Sequence, residues 1–140
     1  MVDDTFLACR PDRVADVVAD PRRWDAWWPD LRLRTTRDRG IKGRQWTVTG
    51  ALVGTAEIWL EPWWDGVVLH FYLRADPVDS GGASAPEAGR HRWAARERQR
   101  QAARWKTHVH RVKDELEAGR RPGEVSATAR PDEGGVRGGR

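Results

Sequence analysis

The sequence has few of the residues that would tie it to a membrane, an oxidising compartment or a metal ion. It contains a single cysteine, Cys9, which cannot form an internal disulfide. No apolar run approaches the roughly 20 residues that a membrane-spanning helix needs. The start of the chain has neither the basic residues nor the apolar run of a secretory signal. These features predict a cytoplasmic protein without a membrane span.

Signatures of metal and phosphate sites are lacking as well. No cysteine or histidine pair has zinc-binding spacing, and His108 and His110 stand two residues apart on a predicted helix, where they point to different sides. The segment 39–44 contains glycines but lacks the Gly-Lys-Ser/Thr ending of a phosphate-binding loop. The sequence therefore predicts no metal and no cofactor.

Lysine is scarce, and arginine supplies most of the positive charge. The formal net charge is only +4, because basic residues are interleaved with acidic ones, as where Asp38 lies between Arg37 and Arg39. A nucleic-acid-binding protein usually concentrates its positive charge on one face. We therefore expect no specific nucleic-acid partner.

Among aromatic residues, tyrosine and phenylalanine are rare and tryptophan is abundant. The chain of 140 residues has one Tyr and two Phe but nine Trp. Each indole is large and rigid and carries one N–H donor that needs a partner when buried. In so small a domain, the indoles either form an unusually aromatic core or line a cavity.

The first third of the chain predicts a strand and two short helices. The strand covers residues 4–9, and Cys9 at its end is expected to be buried. The first helix begins with Asp12 as its N-cap, after Pro11. The second begins at Asp20-Pro21 and ends before Pro29, and i, i+3, i+4 spacing places three indoles on one face: Trp24, Trp27 and Trp28.

Four further strands follow, over Leu31–Thr36, Arg44–Thr49, Leu52–Glu61 and Val67–Ala75. Asp65-Gly66 predicts a two-residue type I′ turn between the last two. In that register the cross-strand pairs are chemically matched: Glu61–His70, Leu60–Phe71, Trp59–Tyr72, Ile58–Leu73 and Glu57–Arg74. Alternation gives one apolar face (Gly54, Ala56, Ile58, Leu60, Leu69, Phe71, Leu73) and one polar face (Glu57, Trp59, Glu61, His70, Tyr72, Arg74).

The last part of the chain predicts a linker, a long helix and a tail. Residues 77–90 have the composition of a flexible linker, and residues 121–140 that of a disordered tail. Between them, residues 91–118 predict one helix that ends at Gly119. Its apolar stripe, which Trp93 extends upstream, is Trp105, Val109, Val112 and Leu116. One domain over residues 1–120 is expected.

Several motifs along the chain are typical of one superfamily: Phe6-x-Ala8, Pro11-x-x-Val14, Val18-Ala19-Asp20-Pro21-x-x-Trp24-x-x-Trp27-Trp28-Pro29, Gly43-Arg44-x-Trp46-x-Val48-x-Gly50, Gly54–Glu61, Leu69–Ala75 and Lys113–Glu117. With these motifs the chain resembles the START-like (SRPBCC) superfamily, whose fold is called helix-grip, and within it the small, Arg-rich actinobacterial polyketide cyclase/dehydrase-like proteins. The resemblance covers roughly residues 4–120. It implies an α+β fold with a curved antiparallel sheet wrapped on a long C-terminal helix. About five strands are predicted here, where the superfamily usually has seven.

The resemblance also implies a cavity between sheet and helix for an apolar ligand such as a lipid or polyketide. The residues expected to line it are Trp24, Trp28, Trp46, Trp59, Phe71, Trp105 and Val109. The short-helix indoles are either a packing face or an aromatic gate, and the stripe of the long helix is either core or pocket floor.

The polar face of the predicted hairpin is the candidate for catalysis. Cyclisation of a poly-β-ketone needs a proton relay and a donor to the enolate oxygen. Glu57 or His70 can serve as the relay, and Tyr72 and Arg74 as donors. Alternatively, this face is simply solvated and Glu57–Arg74 is a surface ion pair of small energy.

Three functions thus stay open at this point. The first is binding of a small apolar or aromatic ligand, as in lipid transport. The second is a true cyclase or dehydratase that uses Glu57, Tyr72 and Arg74. The third is a protein-interaction module that docks a partner through an open sheet edge or exposed indoles.

Overall fold

The computed structural model describes residues 1–77 and 87–118. Its elements are β1 (Val2–Leu7), α1 (Pro11–Ala19), α2 (Pro21–Trp27), β2 (Leu31–Asp38), β3 (Gly43–Gly50), β4 (Leu52–Trp63), β5 (Gly66–Pro77) and α3 (Glu87–Leu116). A short 3-10 turn, Gly40–Lys42, lies in the predicted loop before β3. The five strands form one antiparallel sheet in the order β1-β5-β4-β3-β2. The predicted α+β helix-grip fold is confirmed.

Several predicted boundaries were wrong by a few residues. β1 begins and ends two residues earlier than residues 4–9. Asp12 lies inside α1, because Pro11 occupies the first helical turn and Arg10 is the N-cap. α3 begins at Glu87, within the predicted linker of residues 77–90. Residues 78–86, Gly119 and the predicted tail, residues 121–140, lie outside the described residues.

The hairpin of β4 and β5 has a different register from the predicted one. Trp63 pairs with Gly66, so the two turn residues are Trp64 and Asp65. The turn is not type I′, because Trp64 is the one non-glycine residue with positive φ (53°) in residues 1–77 and 87–118. Gly66 lies in the strand, where a Cβ would come 2.2 Å from the carbonyl oxygen of Leu7. The glycine is needed for the close approach of β1, not for the turn.

Every predicted pair of that hairpin is therefore wrong, but the two faces are right. Each partner moves by two residues along its strand, and a shift of two leaves every side chain on its own face. Ile58 now pairs with Phe71, Glu57 with Tyr72 and Thr55 with Arg74. The apolar face is the buried one, and we call it the inner face; the polar face is the outer face.

α3 packs on the inner face through its apolar stripe and through a polar network. Trp105, Val109, Val112 and Leu116 are all buried, as predicted. Upstream the buried face continues with Glu97 and Gln101, whereas Trp93 is 36% exposed.

Carboxylates on the sheet side hold the polar part of α3. Asp30 accepts hydrogen bonds from Arg100, Gln101 and Arg104, at 3.2, 3.3 and 2.7 Å. Asp3 of β1 accepts one from Trp105 Nε1, at 2.9 Å, and pairs with Lys106. The helix is thus held on the sheet by these polar contacts as well as by the predicted apolar stripe.

Candidate functional site

The space between sheet and α3 is occupied by stacked aromatic rings. Trp28, Phe71 and Trp105 are all in mutual contact: the ring centroid of Trp28 is 5.4 Å from that of Phe71 and 5.6 Å from that of Trp105, and Phe71 and Trp105 are 4.3 Å apart. All three residues are 2% exposed or less. Pairs of this kind stabilise a core by about 0.5–1.5 kcal/mol each beyond the burial of their area.

Trp24 and Trp46 extend this stack toward β3. Their rings meet edge to face at 5.2 Å, and Trp24 Nε1 donates a 2.7 Å hydrogen bond to the carbonyl of Val18. Val109 is buried in the same core. Six of the seven residues predicted to line a cavity are therefore brought together as one ring-filled core, and Trp59 lies apart from them on the outer face.

A groove of about 610 Å³ lies on the outer face of the sheet. It contains the three residues predicted for catalysis together with Trp59, and its boundary also includes Trp46 and Ala56, whose side chains are buried on the inner side. Its lining residues are Thr36, Arg39, Gln45, Trp46, Thr55, Ala56, Glu57, Trp59, Tyr72 and Arg74.

Glu57 and Arg74 share this groove but are not the cross-strand pair that was predicted. Because of the true register, Glu57 stands opposite Tyr72 and forms its ion pair with Arg39, at 3.3 Å. In residues 1–77 and 87–118, Arg74 has no carboxylate partner. Among the described residues, the groove thus holds one ion pair, Glu57–Arg39, and a second guanidinium group, that of Arg74, outside that pair.

Trp59 has its indole stacked on one neighbour and remains 37% exposed. On the β5 side its indole stacks on the imidazole of His70, with centroids 4.6 Å apart and planes 19° from parallel. On the β3 side its cross-strand neighbour is Gly43, which has no side chain. Glycine is required there, because φ is +115° and a Cβ would lie 2.0 Å from the carbonyl oxygen of Ile58. Gly43 therefore places no side chain against the partly exposed indole of Trp59 at the groove.

His70 stands beside the groove between two carboxylates. Its Nδ1 lies 2.6 Å from Asp4 Oδ1 and its Nε2 lies 2.9 Å from Glu61 Oε2. Partial burial lowers the pKa of His70, but the hydrogen bonds to Glu61 and Asp4 outweigh it and the pKa is raised. Both ring nitrogens of His70 are engaged by carboxylates, and its imidazole supports the indole of Trp59.

Arg39, Gln45, Thr36 and Thr55 line the groove and were missed in the sequence. The sequence could have predicted Gln45 and Thr55, since strand alternation places them on the same face as Glu57. It could not have predicted Arg39, because this residue lies in an irregular segment between β2 and β3.

In the described ranges, no three His, Cys, Asp or Glu side chains are grouped so that they could hold a metal ion. In residues 1–77 and 87–118, no helix combines the length and the apolar character that crossing a bilayer requires.

Two solved structures have the same fold at low sequence identity. The Deinococcus radiodurans protein DR_A0006 superposes with a TM-score of 0.59 at 12% identity, covering 86% of this chain and 98% of that one. The Aha1 dimer from Colwellia psychrerythraea gives a TM-score of 0.53 at 13% identity, with the same coverage of 86% and 98%. No family model and no curated protein matches the sequence. These similarities establish the helix-grip fold alone.

Proposed function

We propose that this helix-grip protein binds a small planar aromatic ligand in the outer groove, against the indole of Trp59. The observation that carries the proposal is the combination of Trp59, an indole that is 37% exposed, and Gly43, which places no side chain against it, at a groove of about 610 Å³. Sites for small molecules commonly have volumes of about 300–1,000 Å³.

The packing of the inner face also supports this location. A lipid or polyketide between sheet and α3 would have to displace rings such as Trp28 and Trp105, which are in mutual contact and almost fully buried. Truncating a buried aromatic side chain typically costs about 3–5 kcal/mol, and opening the stack would forfeit part of that energy. A ligand in the outer groove leaves the core intact.

The test is a titration with 4-(2-naphthyl)butan-1-ol, a neutral aromatic probe, followed by NMR of backbone amide and indole N–H signals. We expect saturable shifts at Trp59 and at groove residues such as Thr55. Trp59→Leu should weaken binding about 10-fold, since loss of one aromatic stacking contact costs about 1–1.5 kcal/mol.

Trp63→Leu is the matched control, because Trp63 is exposed but does not line the groove. The outer location would be contradicted if only signals of inner-core residues shifted on titration. It would also be contradicted if Trp59→Leu bound the probe with the affinity of the wild type.

A cyclase or dehydratase function is the second candidate, favoured by one observation. Glu57, Tyr72 and Arg74 all line the groove that contains Trp59. A carboxylate can accept a proton from an enolisable carbon while a phenol or a guanidinium donates to the oxygen.

This chemistry is tested by exchange of the central methylene protons of an aryl β-diketone for deuterium. If Glu57 is the base, the protein accelerates exchange and Glu57→Gln lowers the acceleration by roughly 10²-fold or more. Glu61→Gln is the control, because Glu61 is bound to His70 and does not line the groove. Equal rates for wild type and Glu57→Gln would exclude Glu57 as the base.

A further inference from the structure

A cross-strand row of two arginines and two threonines crosses the outer face beside the groove. Arg34 pairs with Thr47, Thr47 with Thr55, and Thr55 with Arg74, so the four residues form one line across β2, β3, β4 and β5. Residues directly opposite in antiparallel strands lie on the same face. We call this line the Arg–Thr row.

The positive charge of the Arg–Thr row has no carboxylate partner in the part of the chain that the structure describes. Within residues 1–77 and 87–118, neither Arg34 nor Arg74 has a carboxylate partner, and the nearby Asp76 is paired with Arg98 at 3.1 Å. In the groove, Arg39 neutralises Glu57. Arg74 therefore leaves the groove with an excess of positive charge.

The dimensions of the row suit a single oxyanion. Neighbouring strands are about 4.8 Å apart, so the Cα atoms of Arg34 and Arg74 are separated by about 14 Å, with the two hydroxyls between them. Both guanidinium groups can reach inward over this distance toward a group placed on Thr55. Arginine forms bidentate hydrogen bonds with carboxylate and phosphate, and a threonine hydroxyl can add a donor.

The row and the indole of Trp59 lie within reach of one small molecule. Thr55 and Trp59 are four residues apart on β4, which corresponds to about 13 Å along the strand. The distance that a ligand must span between its ring and its oxyanion is shorter than this, because the side chain of Arg74 lines the same groove as Trp59.

We propose that the ligand of the groove is an aromatic oxyanion, in which a planar ring is joined by a short spacer to a carboxylate or phosphate group. Trp59 binds the ring, and Arg74, Thr55 and Arg34 bind the oxyanion. This inference rests on the proposed function, which requires only an aromatic ring.

The experiment compares three matched probes by isothermal titration calorimetry: 4-(2-naphthyl)butan-1-ol, 4-(2-naphthyl)butanoate and 4-(2-naphthyl)butyl phosphate. We expect the two anions to bind at least about 10-fold more tightly than the alcohol, since hydrogen bonds to charged groups are worth about 1.5–3 kcal/mol. The order of the two anions identifies the preferred oxyanion.

Two variants locate the effect. Arg74→Gln should remove most of the preference for the anions over the alcohol. Arg13→Gln, on the exposed side of α1, changes the net charge equally and should leave the preference intact, whereas a long-range effect of net charge would lower it in both variants.

The outcomes separate the two proposals. Equal affinity for all three probes, or a preference for anions that survives Arg74→Gln, would overturn the proposal that the ligand carries an oxyanion. The proposal of an aromatic site at Trp59 would be unaffected. Tight binding of the anions alone, dependent on Arg74, supports the oxyanion. Failure of all three probes to bind overturns both proposals.

Discussion

At the scale of single residues, His70 is the most electrostatically constrained side chain of the outer face. It lies on β5 between Asp4 of β1 and Glu61 of β4, so it joins three strands, and it also stacks on Trp59. Its raised pKa means that protonation is more favourable in the folded protein than in the unfolded chain. The charged form therefore contributes to stability.

The contribution of His70 should disappear at alkaline pH. It is fully present below the ordinary histidine pKa of 6.5 and is lost as pH rises through the higher folded pKa. Thermal unfolding followed by circular dichroism between about pH 6 and about pH 9 should show a larger drop of Tm for wild type than for His70→Gln.

His91→Gln is the control for this pH dependence, because His91 is exposed on α3. Its Tm should follow the wild-type curve. A His70→Gln protein with the same pH dependence as wild type would refute the contribution of the two carboxylates.

At the scale of elements, the β4–β5 hairpin carries a locally unfavourable residue at its turn. Trp64 has φ of 53° and is 90% exposed, so no packing offsets the cost of a left-handed backbone for a bulky residue. That cost is about 1–2 kcal/mol. Glycine adopts positive φ without it.

Trp64→Gly should therefore stabilise the protein by roughly 0.5–1 kcal/mol, after the greater chain entropy of glycine is subtracted. Urea unfolding measures the change. The matched control is Trp63→Gly, which should be destabilising, because Trp63 is an ordinary strand residue paired with Gly66. A loss of stability in Trp64→Gly equal to that in Trp63→Gly would show that the turn is unstrained.

At the scale of the whole molecule, the periodicity of apolar residues predicted the strands and their faces. It did not predict the hairpin register, which is set by the close approach of two backbones. The five strands, the two faces of the hairpin and the buried stripe of α3 all follow from spacings of two and of three to four residues. The hairpin register did not follow from these spacings. Gly66 was predicted to be a turn residue, but glycine is required there because the carbonyl of Leu7, distant in sequence, packs against it.

The candidate site was predictable to a similar degree. Glu57, Trp59, Tyr72 and Arg74 were grouped correctly on one face, since a face survives a two-residue shift of register. The partner of Glu57 was not predictable, because Arg39 reaches it from outside any strand. The filling of the inner space was also hidden, because aromatic composition alone does not distinguish a stacked core from a lined cavity.

The order of the strands has a consequence for how the chain folds. β2 to β5 form a meander of neighbours in sequence, whereas β1, residues 2–7, pairs with residues 67–72 of β5. Closing so long a loop costs entropy that is repaid only after β5 has joined the meander. We therefore expect the first strand of the chain to pair last, so that Asp3 and Asp4 reach Lys106 and His70 only at that step. Non-local pairing of this kind places folding toward the millisecond-to-second end of the range for small domains.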